Sequence, residues 1–443
     1  MVNNTMSTLE NIKKIKSIYW LFVLFLINIL IGWPGILSSD SQGQYLSALN
    51  GNYGDHHPAI MSFVWKYIDM IISGSGLLWA MHLSFLYGGF YHLCKIFPKK
   101  KWIPLMLILP HIFLYALMVW KDVGFALGYV YCICAISSHY VEGKKIGVLS
   151  SIFIFMILFY STSIKFQGQY LSPFVILFYM ITQFKNKKII QASSSILAIL
   201  LFFTALSLAN NTLVPEKNKS HSWQYVKIYD IAGIAYVKKD TNLLPEFIKT
   251  KNYSDEKFYK IFNHKSVDDT VFPEDSIFKI FKGDYNRNKL LYYWNDLLIS
   301  HPFSYLNHRL KNFSYCIFSR MGYQHVDNFM NASIKPYLDN YPKIYEFLNK
   351  IIGFLGYIFL SQIVVFILSL FSIIFLTFNL IIKKTNKYFA PAFFLNFTGI
   401  LLCSIILFKS MAGTPRYTYI MVCLFYSSIP FLIEYVKKRN LIK

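Results

Sequence analysis

Ile18-Tyr19-Trp20-Leu21-Phe22-Val23-Leu24-Phe25-Leu26-Ile27-Asn28-Ile29-Leu30-Ile31-Gly32-Trp33-Pro34-Gly35-Ile36-Leu37 is an apolar run that ends directly on Ser38-Ser39-Asp40-Ser41-Gln42. As a helix rising about 1.5 Å per residue, the run is long enough to cross the roughly 30 Å hydrocarbon core of a bilayer. Lys13, Lys14 and Lys16 precede it, and basic flanks stay on the cytoplasmic side. Asp40 is therefore expected at the extracytoplasmic mouth of the first span. Asp55-His56-His57-Pro58 lies in the same loop. The loop thus gathers ionisable side chains in a chain that otherwise keeps its charges out of the apolar runs.

Beyond that loop, 55% hydrophobic and 19% aromatic residues over 443 positions do not suit a soluble globular protein. The expected fold class is an all-α polytopic membrane protein. The net charge of +22, from 44 basic and 22 acidic residues, would raise nucleic acid as a partner in a soluble chain. Here the basic residues fall in short clusters between apolar runs, at Lys99-Lys100-Lys101, Lys144-Lys145, Lys185 with Lys187-Lys188, Lys383-Lys384 with Lys387, and Lys437-Lys438-Arg439. They read as cytoplasmic anchors beside anionic membrane lipid, and no nucleic-acid partner is expected.

Between the clusters, spans are expected at 18–37, 77–97, 102–120, 124–140, 147–163, 169–184, 189–209, 361–382, 388–408 and 418–435, about ten transmembrane helices with both termini cytoplasmic. The segment 351–360 reads as a separate short or re-entrant helix. Helix one carries no small-residue cleavage site and is expected to remain. Residues 211–350 are polar and rich in Tyr, Asn and Lys. They form an expected helical extracytoplasmic domain in an interior loop, with amphipathic helices at 223–235 and 289–299. The organisation is then 1–210 as the N-terminal transmembrane module with its first outer loop at 38–76, 211–350 as the extracytoplasmic domain, and 351–443 as the C-terminal transmembrane helices. Five of the six cysteines lie in spans, with Cys316 alone in the polar region, so no disulfide framework is expected. The Lys-, Asn- and Ile-rich composition points to a bacterial cytoplasmic (inner) membrane.

This topology puts Asp40, Asp55, His56, His57, Lys121, Asp122, Lys165, Gln167 and Arg416 in one extracytoplasmic layer. Retained cations in short outer loops call for a partner. Two carboxylates among cations and amides suit sugar transfer from a lipid-linked phosphosugar. A carboxylate takes the acceptor proton, and cations offset charge growing on the leaving phosphate. Asp40 and Asp122 are the catalytic candidates, and Lys121, Lys165, Gln167 and Arg416 the substrate and phosphate contacts, Arg416 for its planar fork. Asp55, His56 and His57 are candidates for acceptor or metal contacts. Each residue also has a plainer reading. Asp40 could cap the following helix, Pro58 could open one, Lys121 and Asp122 could pair locally, Arg416 could anchor the last span, and Lys165 could snorkel.

Leu37-Ser38-Ser39-Asp40-Ser41-Gln42, His57-Pro58, Trp120-Lys121-Asp122 and Pro415-Arg416-Tyr417 together resemble the GT-C superfamily of integral membrane glycosyltransferases, which includes protein O-mannosyltransferases and lipid A aminoarabinose transferases. The chain also shares size and general layout with O-antigen-modifying glucosyltransferases. The resemblance implies a polyprenyl-phosphate-linked sugar donor, a glycan, lipid or protein acceptor, and an extracytoplasmic active site. By that resemblance Asp40 matches the first acidic position and Asp122 the second, while 59–73, carrying Trp65, Lys66 and Asp69, matches the loop helix. A divalent metal, Mg or Mn, is the cofactor it implies, with Asp40 and Asp122 as ligands. The acidic motif here is a single Asp40 followed by Ser41. Two rivals share parts of the pattern: a lipid-linked glycan flippase or transporter, and a polysaccharide polymerase or O-antigen ligase.

Overall fold

The computed structural model describes residues 17–185, 187–319, 350, 354 and 361–439, and among these the chain is helical, with no strand. In chain order the first helices are α1 (Ser17–Gly32), α2 (Ser39–Asn50), α3 (Ala59–Asp69), α4 (Gly76–Ile96), α5 (Pro110–Ala116), α6 (Lys121–Glu142), α7 (Val148–Ser163), α8 (Gly168–Gln183) and α9 (Lys188–Leu213). The polar region contributes α10 (Trp223–Lys238), α11 (Asp255–Ile261), α12 (Asp268–Val271), α13 (Asp284–Ser300) and α14 (Pro302–Phe318). The last described helices are α15 (Ile363–Ile381), α16 (Phe389–Lys409) and α17 (Tyr419–Arg439). The expected element at 351–360 lies outside the described residues, apart from the single position 354.

Among the described residues, five helices are long and apolar enough to cross a membrane: α6, α9, α15, α16, and α17 with the turn before it. Only 17% of the most apolar window of α9 and 22% of that of α15 is buried. Apolar helices left so open fit a surface that meets hydrocarbon, where every backbone group is satisfied within the helix. α6 is the opposite case, with 83% of its window buried. Gly124, Ala126, Gly128 and Ala135 are among its buried positions, and such small residues let neighbouring backbones come close. Helices α4, α7 and α17 pack against it.

The stretch 102–120 departs from the expected single helix. Pro104 and Pro110 each lack the N–H that a helix interior needs, and each ring clashes with the preceding turn. Both therefore open new pieces: a short 3-10 turn at Pro104–Ile108, then α5. The chain runs on extended, and Ile36 straps it at both sides, its N–H donating to Leu117 O at 2.7 Å and its carbonyl accepting from Val119 N at 2.9 Å. This strap places Trp120-Lys121-Asp122 beside the loop that carries Asp40.

The bundle has two chemically distinct ends. At one, the Lys-rich turns converge: Lys100 pairs with Glu434 at 2.9 Å, Lys95 with Glu142 at 3.0 Å, and Tyr435 Oη donates to Lys384 O at 2.6 Å. At the other end lie Asp40, Lys121, Asp122, Lys165 and Arg416.

The polar region builds its own hydrophobic core from Ile228, Tyr229, Ile231, Phe258, Phe278, Leu290 and neighbours. Its first helix, α10, covers the helix expected at 223–235, and residues 228–235 are all buried, more than one apolar face requires. It runs through the centre of that core, whereas α13 keeps an open face. A fully buried ion pair fixes α10 to α14, with Asp230 and Arg309 at 2.6 Å and both side chains 0% exposed. Arg309 also donates to the carbonyl of Ser410. Arg309→Met strands the Asp230 carboxylate, at a cost of about 3–5 kcal/mol, whereas adding Asp230→Leu recovers much of that loss. Unfolding of the detergent-solubilised single and double variants checks this ordering.

Candidate functional site

Ser38, not Asp40, caps α2. Its hydroxyl accepts from Ser41 N and the Ser41 hydroxyl accepts from Ser38 N, a reciprocal capping box. Asp40 is the second residue of the helix, so the capping role available to it in the sequence falls to its neighbour. The cap is bolted to the strap: Trp120 Nε1 donates to Ser38 Oγ at 2.7 Å, and Ser41 Oγ donates to Val119 O at 2.6 Å. Two loops far apart in sequence thereby hold Asp40 and Lys121-Asp122 in fixed register.

Arg416 bridges the two acidic positions. Its Nη1 lies 2.7 Å from Asp40 Oδ2, and its Nε lies 4.0 Å from Asp122 Oδ2. Lys165 pairs with the other oxygen of Asp122. Asp122 is 2% exposed and Lys165 5%, whereas Asp40 keeps 30% of its side chain open. Burial raises the Asp40 pKa, but Arg416 and Lys121 outweigh it and hold the carboxyl down at about 2. Lys121 meets His57 Nδ1, and the other ring nitrogen of His57 sits 4.0 Å from Asp40 Oδ1. An ammonium only donates, so Nδ1 is the acceptor and the proton of the neutral ring is on Nε2, toward Asp40. Burial, reinforced by Lys121, drives His57 well below the usual imidazole range. With His57 neutral, three cations face two carboxylates, and the cluster is cationic.

The last turn before α17 aims Arg416. Gly413 N donates to Lys265 O at 2.6 Å, and Val267 N donates to Met411 O at 3.0 Å, so the polar region grips this segment directly. A Cβ at 413 would collide with the Asn312 carbonyl oxygen, which requires glycine there. Gln362 Nε2 donates to Pro415 O at 2.8 Å, and Thr418 Oγ1 donates to Gln362 Oε1 at 2.6 Å. The guanidinium lies 5.2 Å from the centre of the Trp120 ring and 5.4 Å from that of Tyr417, in cation–π range.

A cavity of about 740 Å³ opens between this end of the bundle and the polar region. Lys121, Asp122, Lys165, Gln167 and Tyr417 line the bundle side, His56 and Lys409 the rim, and Trp223, Lys227, Trp294 and Tyr305 the facing wall. Asp40 is not part of this lining; it is reached through Lys121 and through Arg416, which joins it to Asp122. Asp55 lines the cavity, but its oxygens accept from Ser220 N and Oγ, both at 2.6 Å, and from His221 N at 2.8 Å. This carboxylate ties the first loop to the start of the polar region. His56 is packed edge-on to Tyr225 and Phe272. Pro58 stands immediately before α3, as the helix-opening reading expects.

Sequence reading puts these side chains in one outer layer, and six of them meet in one cluster: Asp40, His57, Lys121, Asp122, Lys165 and Arg416. It assigns no role to Trp120 and Tyr417, although both stand inside quoted motifs, and it overlooks Lys227, Trp294 and Tyr305. Aromatics at helical spacing read as core, and nothing local marks the ones that face a cavity.

Asp40 and Asp122 do not fit a divalent metal as placed. Arg416 spans them and Lys165 takes one Asp122 oxygen, so they present no shared set of free donors, and among the described residues no group of three or more His, Cys, Asp or Glu is arranged to hold a metal ion. All six cysteines are buried and unpaired. Comparison with protein-family models, curated proteins and solved structures finds no match to this chain.

The different burial of the two aspartates separates their substitutions. Asp122→Asn leaves the Lys165 ammonium buried without its counter-charge and lowers stability by about 3–5 kcal/mol, whereas Asp40→Asn, at a part-exposed site, costs about 1 kcal/mol or less. Size-exclusion profiles of detergent-extracted protein should show a folded peak for Asp40→Asn and a depleted one for Asp122→Asn.

Proposed function

We propose that the chain is an inverting membrane glycosyltransferase of GT-C type. It moves one sugar from a polyprenyl-phosphate donor to a cell-surface glycan, glycolipid or protein acceptor. The carrying observation is a part-exposed carboxylate whose counter-ion is a guanidinium, the group best shaped for phosphate, in a cationic cluster beside a cavity. The cavity volume falls within the range of about 300–1,000 Å³ found for small-molecule sites.

The proposed topology has ten crossings and both termini in the cytoplasm, with 102–120 crossing as turn, short helix and extended strap. The convergence of the Lys-rich turns at the end opposite the site supports this orientation. The site then faces the extracytoplasmic side of a bacterial cytoplasmic membrane, where a polyprenyl-linked donor reaches it from the lipid.

In this mechanism the donor phosphate draws Arg416 away from Asp40, with Lys121 and Lys165 adding positive charge. Asp40, freed from its counter-ion and in a half-dry setting, becomes a stronger base. The acceptor oxygen attacks the anomeric carbon, its proton passes to Asp40, and the bond from that carbon to the phosphate oxygen breaks. The bonding pair stays on the polyprenyl phosphate, whose growing charge the cations offset. Neutral His57 holds Lys121 in place and adds no charge of its own. Asp122 acts as a positioning residue that fixes Arg416 and Lys165.

Mass profiles of surface glycans and glycolipids, from a deletion strain complemented with wild type or Asp40→Asn at matched membrane levels, test the proposal. One sugar residue should be lost in the deletion and in Asp40→Asn alike. Rescue by Asp40→Asn, or loss of whole chains, would sink it in favour of transport, polymerisation or ligation.

The pH dependence carries a second expectation. Asp40 in the folded protein sits below its ordinary value of 3.8, at about 2. The carboxylate and its ion pair therefore persist through the usual carboxylate range and fade only as pH falls toward about 2. The kcat/KM profile, which reports the free enzyme, should stay flat down to about pH 4. In Arg416→Gln the effect of burial is less opposed, and the acid limb should move upward. Arg416→Lys should raise the donor concentration required for half-maximal rate by about tenfold, because the two parallel donors are lost.

A further inference from the structure

The wall facing the charge cluster takes no part in the proposed transfer chemistry, yet it is built with care. Trp294 is held rigidly: its indole N–H donates to Asp230 Oδ2 at 2.8 Å, and Asp230 is itself locked to Arg309 at 2.6 Å with both side chains 0% exposed. The Lys227 ammonium lies over the Trp294 ring. Asp230, one turn along α10 from Lys227, is already committed to Arg309 and Trp294. Tyr305 and Trp223 add further aromatic surface, and all four residues line the cavity. Burial brings the Lys227 pKa down to about 8, so this cation is desolvated and gains from an anion seated against it.

Fixed aromatic faces take the C–H faces of pyranose rings, and a cation beside them selects for charge. The carboxylates lining the cavity, Asp55 and Asp122, are both held by partners elsewhere. We propose that this wall is the acceptor subsite and that it takes an anionic saccharide, with a sugar ring on Trp294 and Tyr305 and its carboxylate or phosphate on Lys227. The inference rests on the transferase reading of the opposite wall.

The test is calorimetry on the full-length protein in lipid nanodiscs, without donor. Three probes of matched length are compared: a glucuronate-containing tetrasaccharide, a phosphorylated cellotetraose and neutral cellotetraose. Wild type should bind one of the anionic probes about tenfold or more tightly than the neutral one, the size of one charge-assisted contact, and the two anionic arms identify which anion is preferred. Lys227→Gln should reduce that preference to about twofold or less, and Lys227→Arg should keep it. No binding, no preference in wild type, or a preference that survives Lys227→Gln would overturn the subsite. Binding needs no turnover, so full glycan rescue by Asp40→Asn would sink the transferase reading alone, whereas failure of the Lys227 series beside an inactive Asp40→Asn would sink the subsite alone.

Discussion

Two carboxylates and three cations at one end of an apolar bundle must neutralise one another locally, because each buried ion left alone costs several kcal/mol. That requirement shapes everything around Arg416. Its guanidinium joins Asp40 to Asp122, Lys165 closes the far side of Asp122, and Lys121 is held by a neutral His57. Elements from four parts of the chain have to meet there: the first loop, the strap before α6, the turn before α8 and the turn before α17. The strap between Ile36 and Leu117–Val119 and the grip of Lys265 and Val267 on 411–413 are the backbone devices that make the meeting possible.

The same arrangement explains why the two acidic residues differ. Asp122 is sealed between Lys165 and Arg416 and acts as scaffold. Asp40 has one strong partner and an open side, and its partner is a group that phosphate can claim. A carboxylate held at about 2 is a weak base until that partner leaves. In the proposed mechanism, coupling base strength to donor binding keeps the site inert toward acceptor hydroxyls when no donor is present. The polar region contributes twice, by aiming Arg416 through Gly413 and by supplying the aromatic wall across the cavity.

Much of this was legible in the sequence because charge stands out against an apolar background. Asp40, Lys121-Asp122, Lys165 and Arg416 are conspicuous for lying at the ends of apolar runs, and the basic turns sort those ends into two groups. Three features were not legible. Hydropathy over 102–120 masks the break that Pro104 and Pro110 impose, although the prolines themselves are plain to see. The periodicity of 223–235 reports an apolar face but not that the later part of the helix, 228–235, is buried on all sides. Contacts such as Gly413 with Lys265, or Trp294 with Asp230, join residues about 150 and 60 positions apart, and no local pattern in one chain encodes them.

In the proposed mechanism Asp40 and the donor phosphate compete for Arg416. The most direct measurement is the affinity of a polyprenyl phosphate for the nanodisc-embedded protein, compared among wild type, Asp40→Asn, Arg416→Gln and the double variant. Competition predicts that Asp40→Asn tightens binding by about threefold or more, and that this gain vanishes in the Arg416→Gln background, as a coupling between the two side chains requires. Unchanged or weaker binding in Asp40→Asn, or a gain that persists without Arg416, would contradict the account.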